Sequence, residues 1–147
     1  MTVTFFGHKN TPQSIQENAE TVIRNLIENH GADMFYVGNQ GNFDFYINKI
    51  LNKISKEYKH IRYYTVLAYM PQKTDGYTDH EKTVLPESVA SSHPKFAISK
   101  RNEWMLNKSD TVVAYVKHSS GGAAKYYEMA IRQKKKVINI ADMTKSS

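Results

Sequence analysis

The stretch at residues 118–124, with the sequence HSSGGAA, contains residue types that suit anion binding. An apolar run at 111–116 precedes it and predicts a buried strand, and residues 125–132 follow it and predict a helix. A strand that enters a helix through small residues leaves backbone N–H groups free at the helix start, where the helix dipole also favours negative charge. A tight turn without a ligand is the alternative. The candidate contacts for an anion such as a phosphate are Ser119, Ser120, Gly121, Gly122 and Ala123.

Two earlier turns in the chain have a similar composition. Each follows a predicted strand, at 3–6 and at 34–37, and each combines glycine with polar neighbours. Ligands of parallel sheets bind outside the carboxyl ends of the strands, so we expect all three turns to open at one edge of the sheet. The candidate contacts in these two turns are Gly7, His8, Lys9, Gly38, Asn39, Gln40 and Gly41.

Further side chains near these turns have both a ligand-binding and a structural interpretation. Arg101 is suited to a bidentate pair with a phosphate, or else forms a surface ion pair. Asp44 accepts hydrogen bonds from ribose hydroxyls or caps a helix, and Phe43 stacks on a base or belongs to the core. Glu128 contacts a ribose or is solvated, and Tyr69 is a candidate pocket wall.

The elements that position these residues alternate between strands and helices along the chain. This alternation predicts a Rossmann-like α/β fold: a doubly wound parallel sheet of about five strands with helices on both faces, in three layers. We expect one domain over 1–147, with a long loop at 71–94 and a flexible tail at 142–147. The loop, with a short strand or turn near residues 83–85, is interpreted as a lid or binding loop, or as a disordered surface insertion. The strands are predicted at 3–6, 34–37, within 61–69, and at 111–116 and 136–140. The first helix is predicted to open at residues 11–12 and to stop at 29–31, and the others are predicted at 43–54, 96–107 and 125–132.

The composition limits the classes of function. A net charge of +6 favours anionic partners, and the absence of cysteine excludes disulfides, a thiolate nucleophile and a cysteine metal site. No spacing typical of a metal site, no Walker A motif and no nucleophile elbow is present, and we expect no cofactor. No signal peptide and no apolar run long enough to span a membrane is found, so we expect a cytoplasmic protein.

Over residues 3–140 the chain resembles the SLOG superfamily of Rossmann-like proteins, which includes the cytokinin-activating nucleosidases. The resemblance implies a sensor or processor of nucleotide-derived ligands, and the superfamily often pairs through helices, which implies a homo-oligomer. The Gly-His-Lys start is similar to the small Gly-His-Arg-type members of firmicutes and their phages, which would place a phage protein in the host cytoplasm. Four segments carry the resemblance: 6–9, 38–44, 99–105, and 120–124 with Glu128.

The motif of the nucleosidase branch is only half present. Gly121 and Gly122 match its glycine pair, while Arg101 and Glu128 match its arginine and its catalytic glutamate. Ser120, Ala124 and Lys125 replace a proline, a glycine and a threonine of that motif. The alanine and the lysine crowd the phosphate turn, so the sequence favours binding over catalysis, and we assign no catalytic residue.

Three functions follow in order of expectation. The first is binding of a nucleotide-derived small molecule, ADP-ribose-like or a cyclic nucleotide signal, by a sensor or sequestering protein. The second is an N-glycosidase that acts on a nucleoside monophosphate. The third is binding of single-stranded nucleic acid, which the DNA-processing branch of this fold implies. Nucleic acid is ranked last, as an unlikely partner, because the chain contains no stripe of alternating aromatic and basic residues.

Overall fold

A computed structural model describes residues 1–70 and 82–146 of the chain. The described residues form one parallel sheet, in which every pair of neighbouring strands runs in the same direction. Its six strands are β1 (Thr2–Gly7), β2 (Met34–Val37), β3 (Arg62–Val66), β4 (Thr83–Val84), β5 (Thr111–Tyr115) and β6 (Lys136–Asn139).

The strand order is β4-β3-β2-β1-β5-β6. Strands β2, β3 and β4 follow one another on one side of β1, and β5 and β6 follow on its other side. The strand order therefore reverses between β1 and β5, where Gly7 is paired with Tyr115 at the carboxyl end of the two strands. Such a reversal opens a crevice, because the connections of the two strands leave on opposite faces of the sheet.

The predicted fold class is confirmed, and the predicted count of about five strands is one too low. The additional strand β4 contains only two residues, and its partners in β3 are Thr65 and Val66. It lies near residues 83–85, where the sequence indicated a short strand or turn. A segment this short shows too little alternation of apolar and polar residues to separate the two.

The helices are amphipathic and cover both faces of the sheet. An apolar stripe on α1 is buried, and the helix ends at Gly31, whose φ of 73° is the left-handed value that glycine adopts without strain. The helices are α1 (Gln16–His30), α2 (Gly41–Glu57), α3 (Glu87–Ala90), α4 (Ala97–Lys108) and α5 (Gly122–Arg132), with 3-10 turns at Gln13–Ile15, Pro94–Phe96 and Ile140–Ser146.

Two apolar clusters give the molecule its three layers. One cluster joins α1 and α2 to one face of the sheet through residues such as Phe5, Phe35 and Phe43. The other joins α4 and α5 to the opposite face through Phe6, Met105 and Tyr126. Successive residues of β1 point to opposite faces, so Phe5 and Phe6 belong to different clusters.

The segment predicted as a loop at 71–94 is described only from residue 82 onward, and residues 71–81 lie outside the described residues. Its described part contains β4 and α3. In the predicted tail at 142–147, residues up to Ser146 belong to the last 3-10 turn, and residue 147 also lies outside. Among the helices of the described segments, none has both the length and the apolar character needed to cross a membrane.

Candidate functional site

The turns after β1, β2 and β5 meet at one pocket of about 450 Å³ outside the carboxyl ends of the strands. We call it the edge pocket. It lies at the reversal of strand order, as the sequence predicted from three separated turns. The predicted contacts that line it are Gly7, His8, Lys9, Gln40, Asp44, Arg101, Ser120, Gly121, Gly122 and Ala123.

The turns after β1 and β2 are packed backbone against backbone. The Asn42 amide donates to the Lys9 carbonyl at 2.8 Å. A β-carbon at Gly41 would lie 2.6 Å from the Cα atom of Lys9, and Gly41 has a φ of 85°. Any side chain at this position would force the two turns apart. Glycine is therefore required for their convergence.

Gly7 lies at the floor of the pocket, directly on the buried ring of Phe43. Phe43 is fully buried, and its ring is packed so closely on Gly7 that a β-carbon there would lie 2.1 Å from Cγ of the ring. Phe43 therefore belongs to the core beneath the turn and does not line the pocket.

Arg101 and Asp44 approach each other beneath the turn after β2. A β-carbon at Gly38 would lie 2.7 Å from Nη1 of Arg101 and 2.7 Å from Oδ2 of Asp44. Arg101 is 2% exposed, and its Nη1 donates to the Val66 carbonyl at 3.2 Å and to Oδ1 of Asn39 at 3.3 Å. The guanidinium group thus links β3, the turn after β2 and α4.

The protonation of this buried pair follows from its surroundings. Burial raises the pKa of Asp44 to about 6, although a hydrogen bond from the Gln40 amide and the charge of Arg101 oppose the rise. Burial likewise lowers the pKa of Arg101, and the charge of Asp44 opposes that change. An arginine side chain keeps its proton in proteins, and a carboxyl with a pKa of about 6 is mostly ionised at neutral pH, so Asp44 offsets the charge of Arg101 there.

Two histidine rings are stacked across the reversal point. His8 and His118 have ring centroids 3.8 Å apart and planes inclined by 8°. The Lys117 amide donates to Nε2 of His8 at 3.0 Å, which requires that the proton of a neutral His8 is on Nδ1. Burial, followed by the nearby His118, lowers the pKa of His8. The ring of His8 thus ties the turn after β5 to the turn after β1.

The start of α5 is open toward the edge pocket. Gly121 has a φ of 95°, no side chain caps the helix, and a β-carbon at Gly121 or Gly122 would meet no atom within 4 Å. Both glycines are exposed and line the pocket. The first N–H groups of α5 are therefore available to an anion, and the helix dipole adds to the attraction.

The other predicted contacts lie outside the lining of the edge pocket. Glu128 is exposed and lines a separate surface cleft together with Ser119, so it is not brought to the pocket that Arg101 lines. Tyr69 is 46% exposed, and its hydroxyl donates to the Pro94 carbonyl at 3.0 Å. The predicted contacts that do not line the pocket are Gly38, Asn39, Gly41, Phe43, Tyr69, Ser119 and Glu128.

Several lining residues were missed by the sequence analysis. His118 stands within the stretch that was singled out, and its position after a strand was a usable signal. Ile98 and Asn102 lie three residues before and one residue after Arg101 on α4, where helical spacing gave a weaker signal. Within residues 1–70 and 82–146, no group of three or more histidines or carboxylates is arranged to hold a metal ion.

A six-stranded parallel sheet, covered on both faces and open at a glycine-lined reversal point, defines a Rossmann-like fold. The sequence matches no protein-family model and no curated protein. Among solved structures, the fold matches DNA processing protein A from Streptococcus pneumoniae with a TM-score of 0.68 and 15% identity. The match covers 92% of this chain and 48% of that protein.

A second match is DNA processing protein A from Helicobacter pylori, with a TM-score of 0.64 and 15% identity over 93% of this chain and 63% of that one. That structure is described as showing a unique single-stranded DNA binding mode of the H. pylori protein. The chain thus spans less than two thirds of either protein.

These matches overturn the order of functions expected from the sequence. A nucleotide-derived small molecule was expected first, and nucleic acid was ranked as an unlikely partner. Both expectations are wrong, because the matched folds belong to DNA processing proteins, one of which is described as binding single-stranded DNA. The physical reason for the error is that backbone amides recognise a phosphate whether it belongs to a free nucleotide or to a strand.

Proposed function

We propose that this chain binds single-stranded nucleic acid, with DNA as the first candidate, at the edge pocket. The observation that carries the proposal is the agreement in fold, over more than nine tenths of the chain, with a protein described as binding single-stranded DNA. The pocket supplies the chemistry such a strand requires, namely exposed backbone N–H groups and positive charge.

The start of α5 is the proposed phosphate site. The N–H groups that follow Gly121 point outward at the helix end, and the absence of side chains at Gly121 and Gly122 lets a phosphodiester approach closely. Recognition through backbone amides reads the phosphate and not the base, so we expect tight binding with little sequence preference.

Exposed lysines around the pocket supply the longer-range attraction. Lys9 lines the pocket, while Lys117 and Lys125 flank the open turn on either side. The net charge of +6 acts in the same direction and attracts a polyanion from solution. Because condensed counterions are released when lysines contact phosphates, we expect affinity to fall steeply with salt.

Arg101 has a supporting part in this proposal. Its Nη1 donates to the Val66 carbonyl and to Asn39, so it holds the wall of the pocket, while the carboxylate of Asp44 beside it offsets its charge. Glu128 is exposed outside the edge pocket, so the proposal includes no base-removing step.

A substitution at Gly122 tests the proposal. We expect Gly122→Asp to weaken binding of a fluorescent oligothymidine at least tenfold, since the new carboxylate occupies the anion site and repels phosphate. The matched control is Gly122→Asn, which has the size of the aspartate without its charge, so the difference between the two variants isolates the repulsion of phosphate. Fluorescence anisotropy between low and physiological salt gives both affinities and their salt dependence. A wild-type protein that binds no oligonucleotide, or binds with a flat salt response, would refute the proposal.

The sequence also suggested a domain extent, a subgroup, a location and an oligomeric state, and we include these in the same proposal. We infer one SLOG-type domain over residues 1–147, because the two apolar clusters extend from Val3 to Ile140. The Gly7-His8-Lys9 turn favours the small Gly-His-Lys/Arg-type members, of firmicute or phage origin. A cytoplasmic location and a homo-oligomer fit that assignment.

A further inference from the structure

Four apolar side chains beside the edge pocket are exposed to solvent. Tyr69 is 46% exposed, Met70 74%, Phe96 53% and Ile98 37%. Single exposed apolar residues are common on protein surfaces, but these come from two segments of the chain that meet in space. The Tyr69 hydroxyl donates to the Pro94 carbonyl at 3.0 Å, which joins the end of the β3 segment to the 3-10 turn before α4.

This group of side chains is continuous with the edge pocket. Ile98 lines the pocket, and Phe96 precedes it by two residues at the start of α4. Arg101 lies three residues beyond Ile98 on the same helix. The exposed apolar group therefore begins at the pocket rim and extends outward, and we call Tyr69, Met70, Phe96 and Ile98 the rim patch.

Lys95 and Lys100 place two positive charges on the segment that carries Phe96 and Ile98. Nζ of Lys95 lies 5.9 Å from the centroid of the Phe96 ring, and the His93 ring lies 6.2 Å from it. Lys100 is exposed on the first turns of α4, on the same segment. Aromatic faces beside cations are the composition by which proteins hold single strands, because bases stack on the rings while lysines contact the phosphates.

We propose that Tyr69 and Phe96 form a stacking surface for bases of the strand whose phosphates bind at the start of α5. This inference rests on the proposed function and extends it by a second subsite. Every base has an apolar face, so stacking here tolerates any sequence. The sequence alone did not reveal the subsite, since its two aromatic residues are 27 positions apart, and the hydrogen bond from Tyr69 to the Pro94 carbonyl brings their segments together.

Abasic oligonucleotides separate stacking from phosphate binding. We expect Phe96→Ala to weaken binding of an oligothymidine about tenfold, the effect of losing one stacked base. The same variant should bind an abasic oligonucleotide of equal length as well as the wild type does, because no stacked base is then lost. Its salt dependence should equal that of the wild type, since no phosphate contact changes.

Phe45→Ala is the matched control variant. Phe45 is 65% exposed on α2 and does not line the edge pocket. Truncation of either exposed ring leaves the core intact, and circular dichroism verifies that each variant is folded. Photo-crosslinking with 5-iodouracil, followed by peptide mapping, should label the peptides that contain Phe96 or Tyr69 and not the peptide that contains Phe45.

The outcomes distinguish this inference from the function on which it rests. If the wild type binds and Gly122→Asp does not, but Phe96→Ala binds the oligothymidine normally, only the stacking surface is refuted. It is also refuted if Phe96→Ala weakens abasic and thymidine oligonucleotides equally, or if Phe96→Ala dissociates a dimer without changing affinity. If the wild type binds neither oligonucleotide, the proposed function fails together with this inference.

Discussion

The edge pocket has a volume of about 450 Å³ and a cleft between α1 and α2 has about 430 Å³, but their charges are arranged in different ways. In the second cleft, called here the helix cleft, Arg24 contacts Glu20 at 3.0 Å and Lys53 contacts Glu20 at 3.2 Å. Arg24 also contacts Glu57 beside the cleft at 2.6 Å. The lining residues of the helix cleft are Gln16, Glu17, Glu20, Thr21, Arg24, Lys49, Ile50 and Lys53.

The edge pocket has the reverse arrangement. No carboxylate of residues 1–70 or 82–146 forms an ion pair with Lys9, and the first N–H groups of α5 have no side-chain cap. Arg24 and Lys53 of the helix cleft are paired with carboxylates, which weakens their attraction for an anion, whereas Lys9 and the open amides of α5 attract one. The two regions therefore have nearly the same volume, and they differ in whether these charged groups are already paired.

The largest expected effect concerns the floor of the edge pocket. We expect Gly7→Ala to lower the free energy of unfolding by about 3 kcal/mol, because the new β-carbon overlaps the buried ring of Phe43 and the core has no space to accept it. Urea denaturation measures the loss. Gly122→Ala adds the same methyl group where space is open and should be nearly neutral. Equal losses in both variants would show that the floor is not tightly packed.

The second expected effect is a pH dependence of stability from Asp44. Its folded-state pKa of about 6 exceeds the ordinary value of 3.8, so the folded protein binds more protons than the unfolded chain between these pH values. Stability from this group is present at low pH and is lost as the pH rises. We expect Asp44→Asn to gain about 2 kcal/mol relative to wild type between pH 4 and pH 7, measured by urea denaturation.

Glu57 beside the helix cleft supplies the control of opposite sign. The hydrogen bond from Arg24 lowers the pKa of Glu57, so its contribution is present near neutral pH and is lost on acidification. Glu57→Gln should therefore lose stability relative to wild type as the pH rises from acidic to neutral values. If both variants changed in the same direction, the contrast between a buried carboxylate and a paired one would be disproved.

The smallest expected effect compares one lysine from each cleft. Lys9→Gln should weaken oligothymidine binding about threefold and reduce the salt slope by about 1, because one phosphate contact is lost. Lys53→Gln removes the same charge from the helix cleft and should leave affinity and slope nearly unchanged. Anisotropy titrations over a salt series measure both. Equal losses for the two variants would indicate that only net charge matters.

The position of the edge pocket could be predicted because it follows from topology. Strand-helix alternation requires a parallel sheet, and in such a sheet the turns after β1, β2 and β5 share one edge. Local patterns thus identified Gly7 and Gly122 as neighbours of one pocket although they are 115 positions apart.

The roles of individual side chains could not be predicted in the same way. Arg101 was expected to contact a phosphate, and the sequence contains no sign that the Val66 carbonyl and Asn39 lie within its reach. Nucleic acid was ranked last for a similar reason. The expected sign was a stretch of alternating aromatic and basic residues in the sequence, and such residues can instead come from separate segments. Tyr69 and Phe96 belong to separate segments of the chain, which meet only in the fold, where Tyr69 donates to the Pro94 carbonyl.

Motion on binding should be confined to one side of the edge pocket. The hydrogen bonds of Arg101, a residue of α4, connect that helix to β3 and to the turn after β2. The opposite wall, from Lys117 to Gly121, is joined to β1 mainly through the His8 ring. We therefore expect a bound single strand of nucleic acid to displace the wall from Lys117 to Gly121, while the wall that Arg101 holds keeps its position.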